Sequence, residues 1–142
     1  MPPDPPGGLV HVTRKFGFSA AHRYWRPEWS DEENRRVFGS LTVVHGHNYV
    51  LEVTLAAPVD ERTGMVMDLA ELKRIVGDAV ISRFDHADLN ADSWFAGPVL
   101  IPTTENLVRA IWELLAPKLA PVGLHRLRLA EDPTFHVEYF GP

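Results

Sequence analysis

The stretch Val43-Val44-His45-Gly46-His47-Asn48-Tyr49 places two histidines two residues apart, at the entry to an alternating apolar run. Side chains of a β-strand alternate between its faces, so in an extended chain His45 and His47 project from the same face, about 6–7 Å apart along the strand. That separation allows two imidazoles to converge on one metal ion. Gly46 carries no side chain and permits a local bend. The alternative is that these histidines are ordinary surface or core residues.

A metal site usually needs a third ligand, and His22 is the best candidate for it. It ends a predicted strand over residues 10–22, on the same face as the apolar residues Phe18 and Ala20. Three neutral imidazoles with one open coordination position are the usual donor set of a catalytic zinc centre. The sequence therefore predicts that the three histidines bind one metal ion.

The periodicity of the apolar residues predicts an α+β fold. Alternation indicates strands, and helical spacing indicates one short and two long helices. The order is two strands, two long helices and two strands, which favours a four-stranded antiparallel sheet with the two long helices on one face. The predicted strands cover residues 10–22, 47–55, 124–131 and 135–140.

Capping residues indicate where the predicted helices begin. Ser30 is expected to cap the short helix, because a serine followed three residues later by glutamate forms a capping box. Asp68 is expected to cap the first long helix, which runs to Phe84. The second long helix is expected to open at Pro102-Thr103-Thr104-Glu105-Asn106 with a threonine cap. Residues 91–100 between the two long helices are expected to be irregular.

Length and composition limit the possible classes of protein. The chain has 142 residues, a net charge of −5 and no cysteine. We expect a single domain over residues 10–142, preceded by a disordered tail over residues 1–9. The negative charge argues against a nucleic-acid partner. No apolar run approaches about 20 residues, so no membrane span is expected. The absence of cysteine excludes thiolate ligands and fits a cytoplasmic setting. The first residues do not resemble a signal peptide, which fits the same setting.

Two further groups could take part in chemistry. In Asp85-His86, a carboxylate can fix the imidazole tautomer and raise its basicity, although Asp85 could merely close the preceding helical region. Glu131 ends an apolar strand face, where its carboxylate could bind the amidine-like edge of a heterocycle through two hydrogen bonds. The alternative for Glu131 is plain turn chemistry beside Asp132-Pro133.

Several short segments carry most of these residues, and they occur in a recognisable order. They are Phe18-Ser19-Ala20-Ala21-His22, Ser30-Asp31-Glu32-Glu33-Asn34, His45-Gly46-His47-Asn48-Tyr49, Gly64-Met65-Val66-Met67-Asp68-Leu69-Ala70-Glu71-Leu72-Lys73, Asp85-His86, Thr103-Thr104-Glu105-Asn106 and Glu131. Together they resemble the 6-pyruvoyl-tetrahydropterin synthase family, which also contains the bacterial 6-carboxy-tetrahydropterin synthases. The resemblance covers roughly residues 12–140.

The resemblance implies roles for individual residues. It implies a zinc ion on the three histidines and a pterin ring anchored by Glu131. The residues expected to help Glu131 bind the substrate are Thr103, Thr104 and Glu105. Asp85 and His86 are expected to belong to the proton relay.

The resemblance also implies a reaction and an assembly. The family substrate is 7,8-dihydroneopterin triphosphate, from which triphosphate is eliminated with an internal redox rearrangement. The family fold is the tunnelling fold, in which subunit sheets join into a barrel and two trimeric rings stack into a homohexamer. The sites lie between subunits.

The loop before the two paired histidines departs from the family pattern. Typical members carry a cysteine there as general base, whereas this loop reads Gly39-Ser40-Leu41-Thr42-Val43-Val44, without an ionisable side chain. Ser40 or Thr42 could point inward, but a hydroxyl is a far poorer base than a thiolate. Two functions therefore stay open. One is a zinc-dependent pterin lyase that uses Asp85-His86 or water held by the metal. The other is a zinc- and pterin-binding homologue with altered or no lyase activity.

Overall fold

Two long strands form the centre of the sheet. The computed structural model describes residues 7–142, so most of the predicted tail over residues 1–9 lies outside the described residues. Strands β1 (Val10–His22) and β2 (His45–Ala57) pair antiparallel along their full length. On the other side of β2, strand β4 (Gly123–Asp132) pairs antiparallel with it, and β5 (Phe135–Tyr139) follows as a hairpin.

Within residues 7–142 the sheet has five strands, one more than the sequence predicts, and with β3 (Ala87–Asp88) their order is β3-β1-β2-β4-β5. The additional strand β3 (Ala87–Asp88) runs parallel to β1 and pairs with Ala20 and Ala21. The four predicted strands are antiparallel as expected, so the sheet is mixed rather than purely antiparallel. A two-residue strand has no alternation of its own, and the apolar pattern therefore could not reveal it.

The predicted caps begin the predicted helices. Ser30 accepts a hydrogen bond from the Glu33 backbone at the start of α1 (Asp31–Phe38). Asp68 caps α2 (Leu69–Val76), and Thr103 caps α5 (Thr104–Leu119). Helix α2 continues through a π-helical turn (Gly77–Ile81) into α3 (Ser82–Phe84), so the first long helix ends where expected.

The segment expected to be irregular contains one helical turn. Helix α4 (Ser93–Ala96) follows Asp92, whose side chain accepts a hydrogen bond from the Trp94 backbone. Short 3-10 turns cover Gly39–Thr42 and Leu89–Ala91.

One face of the sheet packs against the long helices and forms the core. The buried residues that the two layers share are Phe18, Ala20, Tyr49, Leu51, Val53, Leu55, Leu72, Val76, Leu107, Ile111, Leu115, Leu127 and Leu129. We call this side the helix face. The opposite side, which carries Ser19, Asn48 and Glu52, is called the outer face. There Glu52 forms ion pairs with Arg126 and Arg128. Within residues 7–142, no helix has the length and apolarity needed to cross a membrane.

Candidate functional site

The three predicted metal ligands lie together at the end of the helix face. The β1–β2 register places His22 directly opposite His45, and His47 opposite Ala20. One ring nitrogen from each histidine lies within 4.8 Å of the others. The ring centroids are 4.6 Å apart for His22 and His45, and 5.1 Å apart for His22 and His47. We call these three residues the histidine cluster.

Hydrogen bonds fix which ring nitrogen carries the hydrogen in His22 and in His45. Nδ1 of His22 lies 2.8 Å from the Pro102 carbonyl oxygen, and Nδ1 of His45 lies 2.7 Å from that of Val43. A carbonyl oxygen only accepts, so both Nδ1 atoms carry the proton and both Nε2 atoms keep a free lone pair. Carbonyl partners of this kind orient metal-binding imidazoles.

Two nitrogens of the histidine cluster are buried without a hydrogen-bond partner. They are Nε2 of His22 and Nε2 of His47. A buried polar atom without a partner is unfavourable unless a ligand or ion satisfies it. The donor set therefore fits a metal ion.

Burial keeps His22 neutral. Its side chain is fully buried, and this loss of solvation lowers its pKa from 6.5 to about 4. The neighbouring His45 and His47 lower the pKa further, while the bond to Pro102 opposes the shift. At neutral pH the ring therefore offers a lone pair without first losing a proton.

The strands approach each other closely beside the histidine cluster. A Cβ atom on Gly46 would lie 3.3 Å from the carbonyl oxygen of Ala20, tighter than an ordinary contact. The absence of a side chain at Gly46 thus lets β1 and β2 hold the two paired histidines against His22.

Glu131 lies at the edge of the histidine cluster. Its Oε2 is 3.0 Å from Nε2 of His47, and its side chain is 17% exposed. The geometry does not form a hydrogen bond, so His47 Nε2 remains unpartnered. The adjacent turn is stabilised by Asp132, whose carboxylate accepts hydrogen bonds from the backbone and hydroxyl of Thr134. The hydrogen bonds of this turn therefore go to Asp132 and leave the Glu131 carboxylate free of turn contacts.

The pair Asp85-His86 lies outside the histidine cluster. Oδ1 of Asp85 accepts a hydrogen bond from the Ser19 backbone at 2.9 Å and lies 3.1 Å from Nδ1 of His86. The hydrogen bond from Ser19 is the strongest of the contacts that favour the charged form of Asp85, and the contacts with His86 add to it. Together they hold the pKa of Asp85 below its usual value. His86 has a left-handed backbone, with φ +60°, and an 83% exposed side chain. It lines an outer-face cavity of about 520 Å³ together with Gly46 and His47.

The other predicted substrate contacts lie at the start of α5. The Thr103 hydroxyl accepts the Asn106 backbone N–H as helix cap. Thr104 is fully buried, and its hydroxyl has no hydrogen-bond partner. Glu105 is exposed and lies close enough to Tyr24 to raise the pKa of that phenol.

In the loop that lacks the cysteine, one hydroxyl is bonded to the backbone and the other belongs to an exposed residue. Thr42 donates its hydroxyl proton to the Gly39 carbonyl oxygen at 2.9 Å. Ser40 is exposed, as are the apolar residues Leu41, Val43 and Val44.

Two tyrosines next to the histidine cluster were not predicted as site residues. The ring of Tyr24 meets His22 edge-on, with centroids 5.3 Å apart. Tyr49 is almost fully buried, and its hydroxyl has no hydrogen-bond partner. Burial and the neighbouring Glu131 raise the pKa of both phenols. The alternation of β2 already placed Tyr49 on the face of His47, whereas Tyr24 follows the strand and has no periodic signal.

Comparisons with known proteins indicate one family and agree with the fold. A 6-pyruvoyl tetrahydropterin synthase family model matches residues 11–142. The chain is 40% identical over 138 residues to the 6-pyruvoyl tetrahydrobiopterin synthase of Drosophila melanogaster, covering 94% of this chain and 81% of that protein. It is 35% identical over 132 residues to the dihydroneopterin monophosphate aldolase of Pyrococcus furiosus, covering 91% and 96% of the two chains.

A solved structure matches over nearly the whole chain. The 6-pyruvoyl tetrahydropterin synthase of Caenorhabditis elegans superposes with a TM-score of 0.87 at 34% sequence identity. The match covers 95% of this chain and 97% of that one. The family model, the identities and the superposition lead to one conclusion: this chain belongs to the 6-pyruvoyl tetrahydropterin synthase family.

Proposed function

We propose that this protein is a zinc-dependent pterin lyase that eliminates triphosphate from 7,8-dihydroneopterin triphosphate. The observation that carries the proposal is the histidine cluster with the Glu131 carboxylate 3.0 Å from His47. A relative named as a synthase of this class is 40% identical to the chain. A cytoplasmic location is part of the proposal, because a cysteine-free chain suits a reducing compartment.

Zinc is the proposed metal because the donor set consists of three imidazoles without thiolates. When bound, such an ion polarises a substrate oxygen and makes the adjacent C–H bond more acidic. Elemental analysis of the purified protein should find about one zinc per subunit, and clearly less in His47→Ala. Equal zinc in the two proteins would contradict the assignment.

Glu131 is the proposed anchor of the pterin ring. A pterin presents an exocyclic amine and a ring N–H on one edge, and a carboxylate accepts both through its two oxygens. Thr103, Thr104 and Glu105 are the proposed helpers at the start of α5. Tyr24 supports this placement, because its ring meets His22 edge-on and its pKa is raised by burial and by the charges of Glu131 and Glu105.

His86 is the proposed general base, positioned by Asp85. The carboxylate holds Nδ1 of the imidazole, which leaves Nε2 to take a proton from the substrate side chain. The ring is exposed and lines a cavity with His47. By contrast, the Thr42 hydroxyl is already engaged with the protein backbone. The base therefore comes from this pair rather than from the loop over residues 39–44.

A product assay tests the base and the reaction together. Zinc-loaded protein is incubated with 7,8-dihydroneopterin triphosphate, and both free triphosphate and any released aldehyde fragment are measured. Wild-type protein should release triphosphate. His86→Ala should lose most of this activity, whereas the control variants Ser40→Ala and Thr42→Ala should keep it. An active His86→Ala would contradict the base assignment.

The same assay distinguishes two other functions. Release of an aldehyde instead of triphosphate would indicate aldol cleavage, the activity named for the Pyrococcus furiosus relative. Binding of the pterin without any turnover would indicate a binding protein. The absence of an ionisable side chain from residues 39–44 favours the binding protein as the second candidate function.

The proposed assembly is a homohexamer with a barrel of joined sheets. Strand β3 covers only Ala20 and Ala21 of β1, so most of that edge has no partner strand among residues 7–142. An open edge presents unpaired backbone groups, which are a template for pairing with another chain. Light scattering at micromolar concentration should give the mass of six chains, and the mass of a monomer would contradict the proposal.

A further inference from the structure

The backbone that follows His22 has no partner strand among residues 7–142. The pairing of β1 with β2 ends at His22 opposite His45, and β3 reaches only Ala20 and Ala21. His22 therefore occupies the last paired position of its strand, where an unsupported chain end frays. The Pro102 carbonyl oxygen holds the imidazole ring, but this bond does not fix the direction of the backbone after His22.

The side chain of Asn90 takes the place of the missing strand. Its Oδ1 accepts a hydrogen bond from the Arg23 backbone N–H at 2.8 Å, and its Nδ2 donates to the Arg23 carbonyl oxygen at 3.0 Å. Such a two-way pair imitates the exchange of hydrogen bonds between paired residues of a sheet. The Arg23 N–H belongs to the peptide unit that joins Arg23 to His22, so the first bond fixes the backbone directly after the metal-ligand candidate.

Asn90 is itself held in place by its neighbours in the chain. Its backbone N–H donates to the Asp88 carboxylate at 3.0 Å, at the end of β3. Leu89, which precedes it, is fully buried in the core. The Asn90 amide therefore starts from a fixed position, from which it can orient the end of β1.

The same segment carries the proposed general base. Asp85 accepts a hydrogen bond from the Ser19 backbone N–H, and the His86 backbone N–H donates to the Ser19 carbonyl oxygen. The segment is thus attached to β1 on both sides of His22, before it through Ser19 and after it through Asn90. The placement of the base relative to the histidine cluster depends on both attachments.

We infer that Asn90 is a positioning residue of the metal site, which holds His22 in the direction needed to bind the ion together with His45 and His47. This inference rests on the proposed metal-dependent function. The alternative is that Asn90 only stabilises the loop that follows β1. The two roles differ in their effect on metal binding, because only the first one acts on the geometry of a ligand.

Asn34 makes the same kind of two-way contact further along this loop and provides a matched control. Its Oδ1 accepts from the Arg26 backbone N–H at 2.7 Å, and its Nδ2 donates to the carbonyl oxygens of Arg26 and Ser30. Asn34 is fully buried. Arg26 lies four positions after His22, so these bonds stabilise the loop without fixing the peptide unit next to the metal-ligand candidate.

Zinc affinity, measured by competition with a chelator, tests the inference. Asn90→Ala should bind zinc about tenfold more weakly than the wild-type protein, because the peptide unit after His22 loses its partner. Asn90→Asp keeps the acceptor for the Arg23 N–H and should stay within about threefold of the wild-type affinity. Asn34→Ala should unfold at a lower urea concentration and yet also stay within about threefold. In Co²⁺-loaded protein, the visible absorption, which reports ligand geometry, should change in Asn90→Ala and not in Asn34→Ala.

Each outcome decides the inference. Equal zinc affinity in Asn90→Ala and in the wild-type protein would overturn it and leave the metal site standing. An equal loss of affinity in Asn34→Ala would also overturn it, because a general loosening of the loop would then explain the effect. If the wild-type protein binds no zinc, the proposed metal site fails and the inference fails with it. If Asn90→Ala does not fold, Asn90→Asp decides: wild-type affinity supports the inference, and an affinity about tenfold weaker overturns it.

Discussion

Acid should destabilise the metal-free protein through His22. In the folded chain this buried imidazole has a pKa of about 4, below the 6.5 of an unperturbed histidine. Between these values the unfolded chain takes up a proton that the folded chain does not bind. The free energy of unfolding therefore falls as the pH drops below 6.5, and the loss levels off below pH 4.

The size of the effect follows from the shift in pKa. One unit corresponds to about 1.4 kcal/mol, so the complete loss is on the order of 3 kcal/mol. Between pH 7 and pH 5 the linkage relation gives about 2 kcal/mol.

Urea unfolding of metal-free protein at pH 7 and pH 5, at one fixed protein concentration, measures the loss. The control is His22→Gln, whose amide can still donate to Pro102 but does not titrate. Titrating groups away from His22 are common to both proteins, so their contributions cancel. The free energy of unfolding of the wild-type protein should fall about 2 kcal/mol more than that of the variant. An equal fall in both proteins would refute the reasoning about His22.

Three further changes test the site and the fold. Glu131→Gln should weaken dihydropterin binding by about 1–3 kcal/mol in calorimetry, because one acceptor becomes a donor; Glu138→Gln, at an exposed ion pair in β5, should have no effect. In a chelator competition, Gly46→Ala should bind zinc roughly tenfold more weakly than the wild-type protein, because its Cβ would press on the Ala20 carbonyl. An unchanged zinc affinity would show that the strands adapt to the added side chain. Ser30→Ala removes a helix cap and should lower the free energy of unfolding by about 1 kcal/mol in urea, with no change in zinc content.

Features set by local periodicity were predictable from the sequence. The alternation of side chains is enough to place His22, His45 and His47 on one face, and the β1–β2 register confirms that they share it. The caps Ser30 and Asp68 were likewise readable, because each depends on a residue and its close neighbours in the chain.

Features set by contacts between distant segments were not predictable. Strand β3 exists because Asp85 and the residues after it attach to Ser19 on β1, 66 residues earlier in the chain. Tyr24 lies beside the histidine cluster through its ring contact with His22, and no spacing in its own segment indicates this contact. Short strands and loop residues of this kind depend on tertiary packing.

The full-length pairing of β1 with β2 predicts where the chain tolerates insertions and deletions. The connection between His22 and His45 can gain or lose residues, as long as both strands keep their register. One residue added between Phe18 and His22 would instead turn that histidine to the outer face, away from its two partners. Natural length variation among relatives should therefore concentrate in the connection and avoid the paired ends of both strands.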